Sequence, residues 1–151
     1  KLIQVDQPKS LYDEPKNQFI AEFLGTVSLI PGKLISLSAS TATVSTPLGS
    51  TNILLDSETS KRCATDQSVM LAVRPEKIQL FNSQPRAENS FSAKIEDHAF
   101  LGERTIYRVR CDGNCLLKVS QINDRNFDNQ FNATEKVWVQ FDPKDVKILL
   151  D

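Results

Sequence analysis

The sequence predicts an all-β fold, a barrel or sandwich in two lobes, preceded by two short helices. From Thr26 onward apolar residues recur at every second position, the period of a strand with one buried face. About ten such runs are separated by short clusters of Gly, Pro, Asn and Asp, the spacing of a compact β domain. Helical spacing is confined to residues 1–25.

In that N-terminal stretch Pro8 suits a first helical turn, and no breaker follows until Pro15. Asn17 is a good N-cap, Phe19, Ile20, Phe23 and Leu24 repeat at helical spacing, and Gly25 stands at the stop. Beyond it Ile35 and Leu37 alternate with serines. Ala42 and Val44 alternate with threonines, and Pro47-Leu48-Gly49-Ser50 turns the chain into Ile53-Leu54-Leu55, so residues 41–55 read as a hairpin. Val69–Val73 is apolar on both faces, as a central strand would be. Arg74-Pro75-Glu76 breaks it, because proline cannot donate to a ladder, and Ile78 and Leu80 resume the alternation.

Residues 82–90 are polar and read as a linker, which places the two lobes at about 26–83 and 90–151. In the second lobe Phe91, Ala93 and Ile95 share a face. Tyr107, Val109 and Cys111 oppose Cys115, Leu117 and Val119 across the Asp112-Gly113-Asn114 turn. Residues 121–135 read as loop. Val137, Val139 and Phe141 form the next strand face, and Val146–Leu150 closes the chain after an Asp142-Pro143-Lys144-Asp145 turn.

Composition narrows the function classes. Forty per cent hydrophobic residues in 151 give ample material for a core, and no apolar run reaches the length of a membrane-spanning helix. Eighteen basic residues against nineteen acidic ones leave a net charge of −1, so no overall field points to a polyanion. Three cysteines, Cys63, Cys111 and Cys115, are too few and odd in number for a secreted disulfide scaffold. With no signal peptide and no initiator Met, the expectation is a fragment of a longer protein from a reducing compartment. The Asn132-Ala133-Thr134 sequon reads as a plain loop.

The motifs with chemical potential are weak. Asn52-Ile53-Leu54-Leu55-Asp56-Ser57-Glu58 looks like a strand delivering a magnesium-binding Asp, but such a site needs a phosphate loop. No two of the five glycines stand five positions apart as that loop needs, although Lys33 follows Gly32. The plain reading is a strand running into a turn. Cys111 and Cys115 face inward on adjacent strands and read as buried reduced thiols; a disulfide or a metal site is the alternative, though His98 is the only histidine and zinc wants four ligands. Glu96 and Asp97 adjoin His98 but should alternate between faces, so no acid–base pair forms. Arg108 and Arg110 share an outward face. A β-barrel with such a stripe could bind single-stranded nucleic acid, and ordinary solvated surface is the competing reading.

Residues 7–25, with Gln7-Pro8, Tyr12, Pro15, Asn17, Phe19, Ala21 and Phe23-Leu24-Gly25, resemble the junction that follows the nucleotide-binding domain in ATP-binding subunits of bacterial ABC importers. Val73-Arg74-Pro75-Glu76-Lys77-Ile78, Phe100-Leu101-Gly102 and the final Val137–Leu150 segment are similar to blocks of the same family, in the same order. The resemblance implies that residues 1–25 are the tail of the upstream domain. Residues 26–151 would be the transport-associated, oligonucleotide-binding-like (TOBE, OB-like) domain, most similar to the spermidine/putrescine branch, with Asp6 and Ser28 as departures. It implies a non-catalytic regulatory and dimerisation role, with no cofactor in this chain and ATP and magnesium belonging upstream. It further implies a homodimer of ATP-binding subunits, permease partners, room for a small-molecule regulator, and a cytoplasmic place on the inner membrane face. Arg74, Pro75, Glu76, Leu101 and Gly102 are the candidate partner contacts. A ligand sensor of an iron or sugar importer and an independent nucleic-acid-binding barrel are the alternatives.

Overall fold

The computed structural model describes residues 27–123, 131 and 135–149. The two helices expected before Gly25 lie outside these residues, as does the 132–134 sequon. The described chain forms ten strands: β1 (Ser28–Leu37), β2 (Thr41–Thr46), β3 (Gly49–Leu54), β4 (Ser68–Val73), β5 (Gln79–Phe81), β6 (Ser90–Phe100), β7 (Arg104–Cys111), β8 (Cys115–Ile122), β9 (Lys136–Gln140) and β10 (Val146–Leu149). They make two five-stranded sheets, ordered β10-β4-β1-β2-β3 and β5-β9-β6-β7-β8, and every pairing is antiparallel.

The sheets do not divide where the polar 82–90 stretch divides the chain. β5 precedes that stretch yet pairs with β9, and β10 returns from the far end to pair with β4. One continuous core therefore joins the halves: Ile30, Leu34, Val44, Ile53 and Leu71 from the first sheet meet Ile95, Tyr107, Val109, Leu117 and Phe141 from the second. The alternations expected for β7, β8 and β9 hold, with Tyr107, Val109, Cys111, Cys115, Leu117, Val119, Val137 and Val139 all buried.

Two strands depart from simple alternation. In β1 the register shifts between Leu34 and Ser36; the extra residue turns Leu34 into the core and leaves Ile35 49% exposed. The expected shared face of Ile35 and Leu37 is thereby corrected for Ile35, whereas Leu37 packs against the core. In β6 the shift falls between Ile95 and Asp97, so Glu96 and Asp97 reach the same outer face, where alternation assigned them to opposite ones.

Side chains close the outer edge of each sheet. On β3, the last strand of its sheet, the Asn52 N–H donates to Asn89 Oδ1 (2.8 Å) and Asn89 Nδ2 donates to Asn52 O (2.8 Å). On β8, the last strand of the other, the Lys118 N–H donates to Ser28 Oγ (3.0 Å). Such caps satisfy backbone groups that an open edge leaves unpaired. The β7–β8 turn packs on the β2–β3 turn so closely that a Cβ on Gly113, at φ +74°, would lie 2.7 Å from Pro47 O.

A short α1 helix (Ser57–Lys61) follows β3 and was not legible in the sequence. Its N-cap is Asp56, whose Oδ1 accepts from Thr59 N at 2.6 Å. That bond to Thr59 holds the Asp56 carboxyl below its ordinary range. The aspartate that mimicked a magnesium ligand is a helix cap.

Candidate functional site

Arg74, Pro75 and Glu76 stand where β4 leaves the first sheet. Arg74 is extended (φ −77°, ψ 144°), and Pro75, with its fixed φ and missing N–H, opens a single 3-10 turn, Pro75–Lys77. Lys77 N and Ile78 N close the turn onto Arg74 O and Pro75 O at 3.0 and 3.3 Å. A second turn of the same kind, Pro143–Asp145, opens after Asp142 and leads into β10. Because β10 pairs with β4, with Val146 opposite Val73 and Lys147 opposite Ala72, the two turns are brought to the same end of the sheet.

Between them lies a cleft of about 100 Å³. Arg74, Lys77, Lys144 and Lys147 supply four cationic groups to its lining, and Asp145 the one carboxylate. Ala72 and Val27 complete the wall. Ala72 is only 2% exposed although it lies on the face of β4 opposite the core, and it packs with Leu149, Leu29 and Met70. The cleft thus has an apolar floor and a basic rim. Sequence reading found Arg74 but missed Lys77, Lys144 and Lys147, since only the β4–β10 pairing makes residues 74–77 and 144–147 neighbours.

Leu101 and Gly102 belong to a different element, the β6–β7 hairpin turn. Gly102 has φ +82° with open space around it, Leu101 N donates to Arg104 O (2.7 Å), and Asn123 Nδ2 donates to Gly102 O (2.7 Å). Thr105 Oγ1 donates to Asn123 Oδ1 at 2.7 Å and completes the clamp. This bracing presents Phe100 (59% exposed), Leu101 (65%) and, from β8, Ile122 (64%) to solvent. Isolated exposed apolar residues are ordinary; here three lie together at one end of the hairpin.

The outward arginines are committed elsewhere. Arg108 forms a two-point pair with Asp97, its Nε donating to Oδ1 at 2.7 Å and its Nη2 to Oδ2. Arg110 pairs with Glu96 through Nε and Nη2 and donates from Nη1 to Asn114 Oδ1 at 2.7 Å. The β6 bulge makes both pairs possible. Hydrogen bonds from Arg110 and Arg108 hold the Glu96 and Asp97 carboxyls below their ordinary values of 4.5 and 3.8. A carboxyl depressed in the folded state stabilises fully above its unfolded value, and that contribution is lost as pH falls through the lower folded value. A Glu96→Gln/Asp97→Asn variant should therefore unfold at lower urea than the parent at pH 7, with the gap closing below about pH 4. At 1 M salt the gap should also shrink, because exposed pairs are screened. An equal gap at pH 7 and pH 3 would assign the effect to packing instead.

His98 lies with its ring 5.8 Å from Tyr107, and Tyr107 meets Phe131 edge-on at 5.9 Å. The Tyr107 hydroxyl accepts from Phe131 N at 3.3 Å. Cys111 and Cys115 are opposite one another in the β7–β8 register, and both are free thiols. Burial pushes the Cys111 thiol up to about 12 and raises Cys115 as well. Burial thus disfavours the thiolate form of both side chains.

Comparison with known proteins places this architecture. A family model described as the TOBE domain matches residues 71–149, from the central strand to the last one. The chain belongs to the TOBE-domain family, a β-rich domain and not an ATPase domain. It is similar to the spermidine/putrescine import ATP-binding protein PotA of three bacteria. The Pseudomonas fluorescens protein is 26% identical over 148 residues, covering 98% of this chain and 38% of the relative. The Thermotoga maritima protein is 26% identical over 151 residues, covering 96% and 40%. The Chromobacterium violaceum protein is 31% identical over 144 residues, covering 91% and 39%. The chain thus spans about two fifths of the length of these relatives. Among solved structures it is similar in fold to the cytoplasmic molybdate-binding protein ModG with molybdate bound, at TM-score 0.73 and 9% identity over 82% of this chain and 95% of that one. The OB-like all-β reading accords with that likeness.

Proposed function

We propose that the chain is the regulatory and pairing domain of the ATP-binding subunit of a polyamine importer, residues 1–25 being the end of the nucleotide-binding domain and residues 26–151 the TOBE unit. The supporting observation is the similarity along 91–98% of the chain to polyamine-import subunits of which it spans only 38–40%. The remaining length leaves room for the domain that binds ATP and magnesium.

ATP sites shared between two subunits open and close, and an appended domain that stays paired keeps the halves at high effective concentration. A ligand or partner preferring one arrangement of the pair then biases hydrolysis through a coupling free energy. In this reading the hairpin tip with Leu101 and Gly102, and the Arg74-Pro75-Glu76 turn, contact the second subunit or the upstream domain. The whole protein acts beneath its permease subunits on the inner membrane face.

Removal of residues 26–151 from the full-length subunit is expected to weaken self-association at least tenfold in sedimentation analysis. The same truncation should change ATP hydrolysis in the assembled transporter, and Leu101→Asp should reproduce the association defect with the melting temperature unchanged. Unaltered self-association and hydrolysis after truncation would defeat the proposal. Dependence of labelled spermidine uptake on the full-length gene product tests the cargo, and dependence of iron or sugar uptake instead would reassign it.

A further inference from the structure

We propose that Cys111 and Cys115 are a site of reversible oxidation, a thiol pair that hydrogen peroxide converts into a disulfide clasp across the end of the β7–β8 hairpin. The two are register partners, the last pair before the Asp112-Gly113-Asn114 turn. Residues directly opposite in an antiparallel ladder have Cα atoms about 4.5–5.5 Å apart, inside the roughly 4.4–6.8 Å that a disulfide accepts. The alternation that buries both side chains, Cys111 at 4% and Cys115 at 8% exposure, also sends them to the same face of the hairpin. Both are free thiols, so the bridge needs no other partner and no change of strand pairing. Cys63, the third thiol, lies outside any strand, between α1 and β4.

The surroundings give the two sulfurs different parts. Arg110 reaches over the turn, its Nη1 donating to Asn114 Oδ1 at 2.7 Å. Its positive charge opposes the effect of burial on Cys115, whereas Cys115 and Asp112 add to that effect on Cys111. Cys115 is therefore the first to react. Its thiolate attacks one peroxide oxygen, the O–O bond breaks, and the departing hydroxide takes up the thiol's proton as water, leaving a sulfenic acid on Cys115. The Cys111 sulfur then attacks the Cys115 sulfur, and its proton leaves with the hydroxyl as a second water. Two thiols are oxidised and one peroxide is reduced; a small thiol reverses the bridge by exchange. Because burial disfavours the thiolate, the reaction is slow and is gated by local opening of the hairpin end. Once formed, the bridge ties β7 to β8 beside Gly113, which packs against Pro47 of the β2–β3 turn. Oxidation thus fixes the hairpin end where two turns meet.

The test treats the folded 151-residue chain with hydrogen peroxide and maps the product by intact mass and non-reducing peptide analysis. The expected product is a monomer lighter by two hydrogens, with Cys111 linked to Cys115 and full recovery of both thiols in dithiothreitol. Cys63→Ser should leave the bridge unaffected. Cys111→Ser should trap the Cys115 sulfenic acid for a 1,3-dione probe, and Cys115→Ser should label at Cys111 at least fivefold less. The bridged form should melt roughly 3–6 °C higher than the reduced form, since the cross-link restricts the unfolded chain. Disulfides from Cys63 to either thiol, linked dimers as the main product, or two alkylatable thiols after peroxide treatment and unfolding would each overturn the pair. Equal labelling of the two variants would overturn the order of attack, and a bridged form that melts no higher would overturn the clasp. None of these readouts involves transport, so the outcome is independent of the function proposed above.

Discussion

Phe141→Ala is expected to lower the unfolding free energy by about 3–5 kcal/mol, the range for truncating a fully buried phenylalanine. Phe141 is 0% exposed, its ring centroid lies 5.9 Å from that of Phe91, and it follows β9 just before the turn that carries the chain across to β10. It therefore fills the core at the place where one sheet hands the chain back to the other. A cavity there cannot collapse readily, because its walls belong to two sheets tied by Asn89 and Ser28. Against a typical total of about 5–15 kcal/mol, the loss should leave a protein that is marginal at 37 °C. Urea unfolding followed by tryptophan fluorescence and circular dichroism checks it: the midpoint should fall with the slope unchanged. Phe141→Leu should cost less than half as much. A loss under about 1 kcal/mol for the alanine variant would mean that the site relaxes and that the core is not continuous at this point.

Asn89→Ala should cost about 2–4 kcal/mol through a different mechanism. Asn89 is 5% exposed, and its amide holds both the N–H and the C=O of Asn52 on the outer edge of β3. Truncation leaves two partly buried backbone groups without partners, at about 1–3 kcal/mol for a fully buried one. Asn89 also has φ +58°, a left-handed conformation that asparagine tolerates and alanine resists. Asn89→Gly separates the two causes, recovering roughly 1 kcal/mol of the alanine loss if backbone strain contributes. Asn89→Asp keeps the acceptor for the Asn52 N–H and loses the donor to Asn52 O, so it should remain destabilised. Hydrogen exchange at the Asn52 amide offers an independent readout. It should quicken in Asn89→Ala by more than the global stability change predicts. Unchanged protection there would refute the edge-cap role.

Both effects concern how the halves are joined, which is where sequence reading stopped short. The β2–β3 hairpin was legible because alternating Ala42, Val44 and Ile53 flank the Pro47–Ser50 turn. The inward faces of β7, β8 and β9 were legible for the same reason. The break at Arg74-Pro75-Glu76 was legible because proline's chemistry is local. The displaced alternation in β1 and β6 was not, since a bulge inserts one residue without any signature in Ile35 or Glu96 themselves. Asp56 was misleading because an aspartate after an apolar strand suits a metal site and a helix cap equally.

The candidate site divides along the same line. Leu101 and Gly102 became candidates only through the similarity of the Phe100-Leu101-Gly102 block to the importer family. The basic cleft could not be read, because Arg74 and Lys77 are some seventy residues from Lys144 and Lys147 along the chain. Period, turn chemistry and proline are properties of neighbours in sequence, and they determined the all-β class, most strand faces and the family resemblance. Which strand lies beside which depends on long-range burial, which has no local mark. Only the tertiary structure therefore decided that β5 and β10 change sheets, that Glu96 and Asp97 neutralise Arg110 and Arg108, and that four cations meet over Ala72.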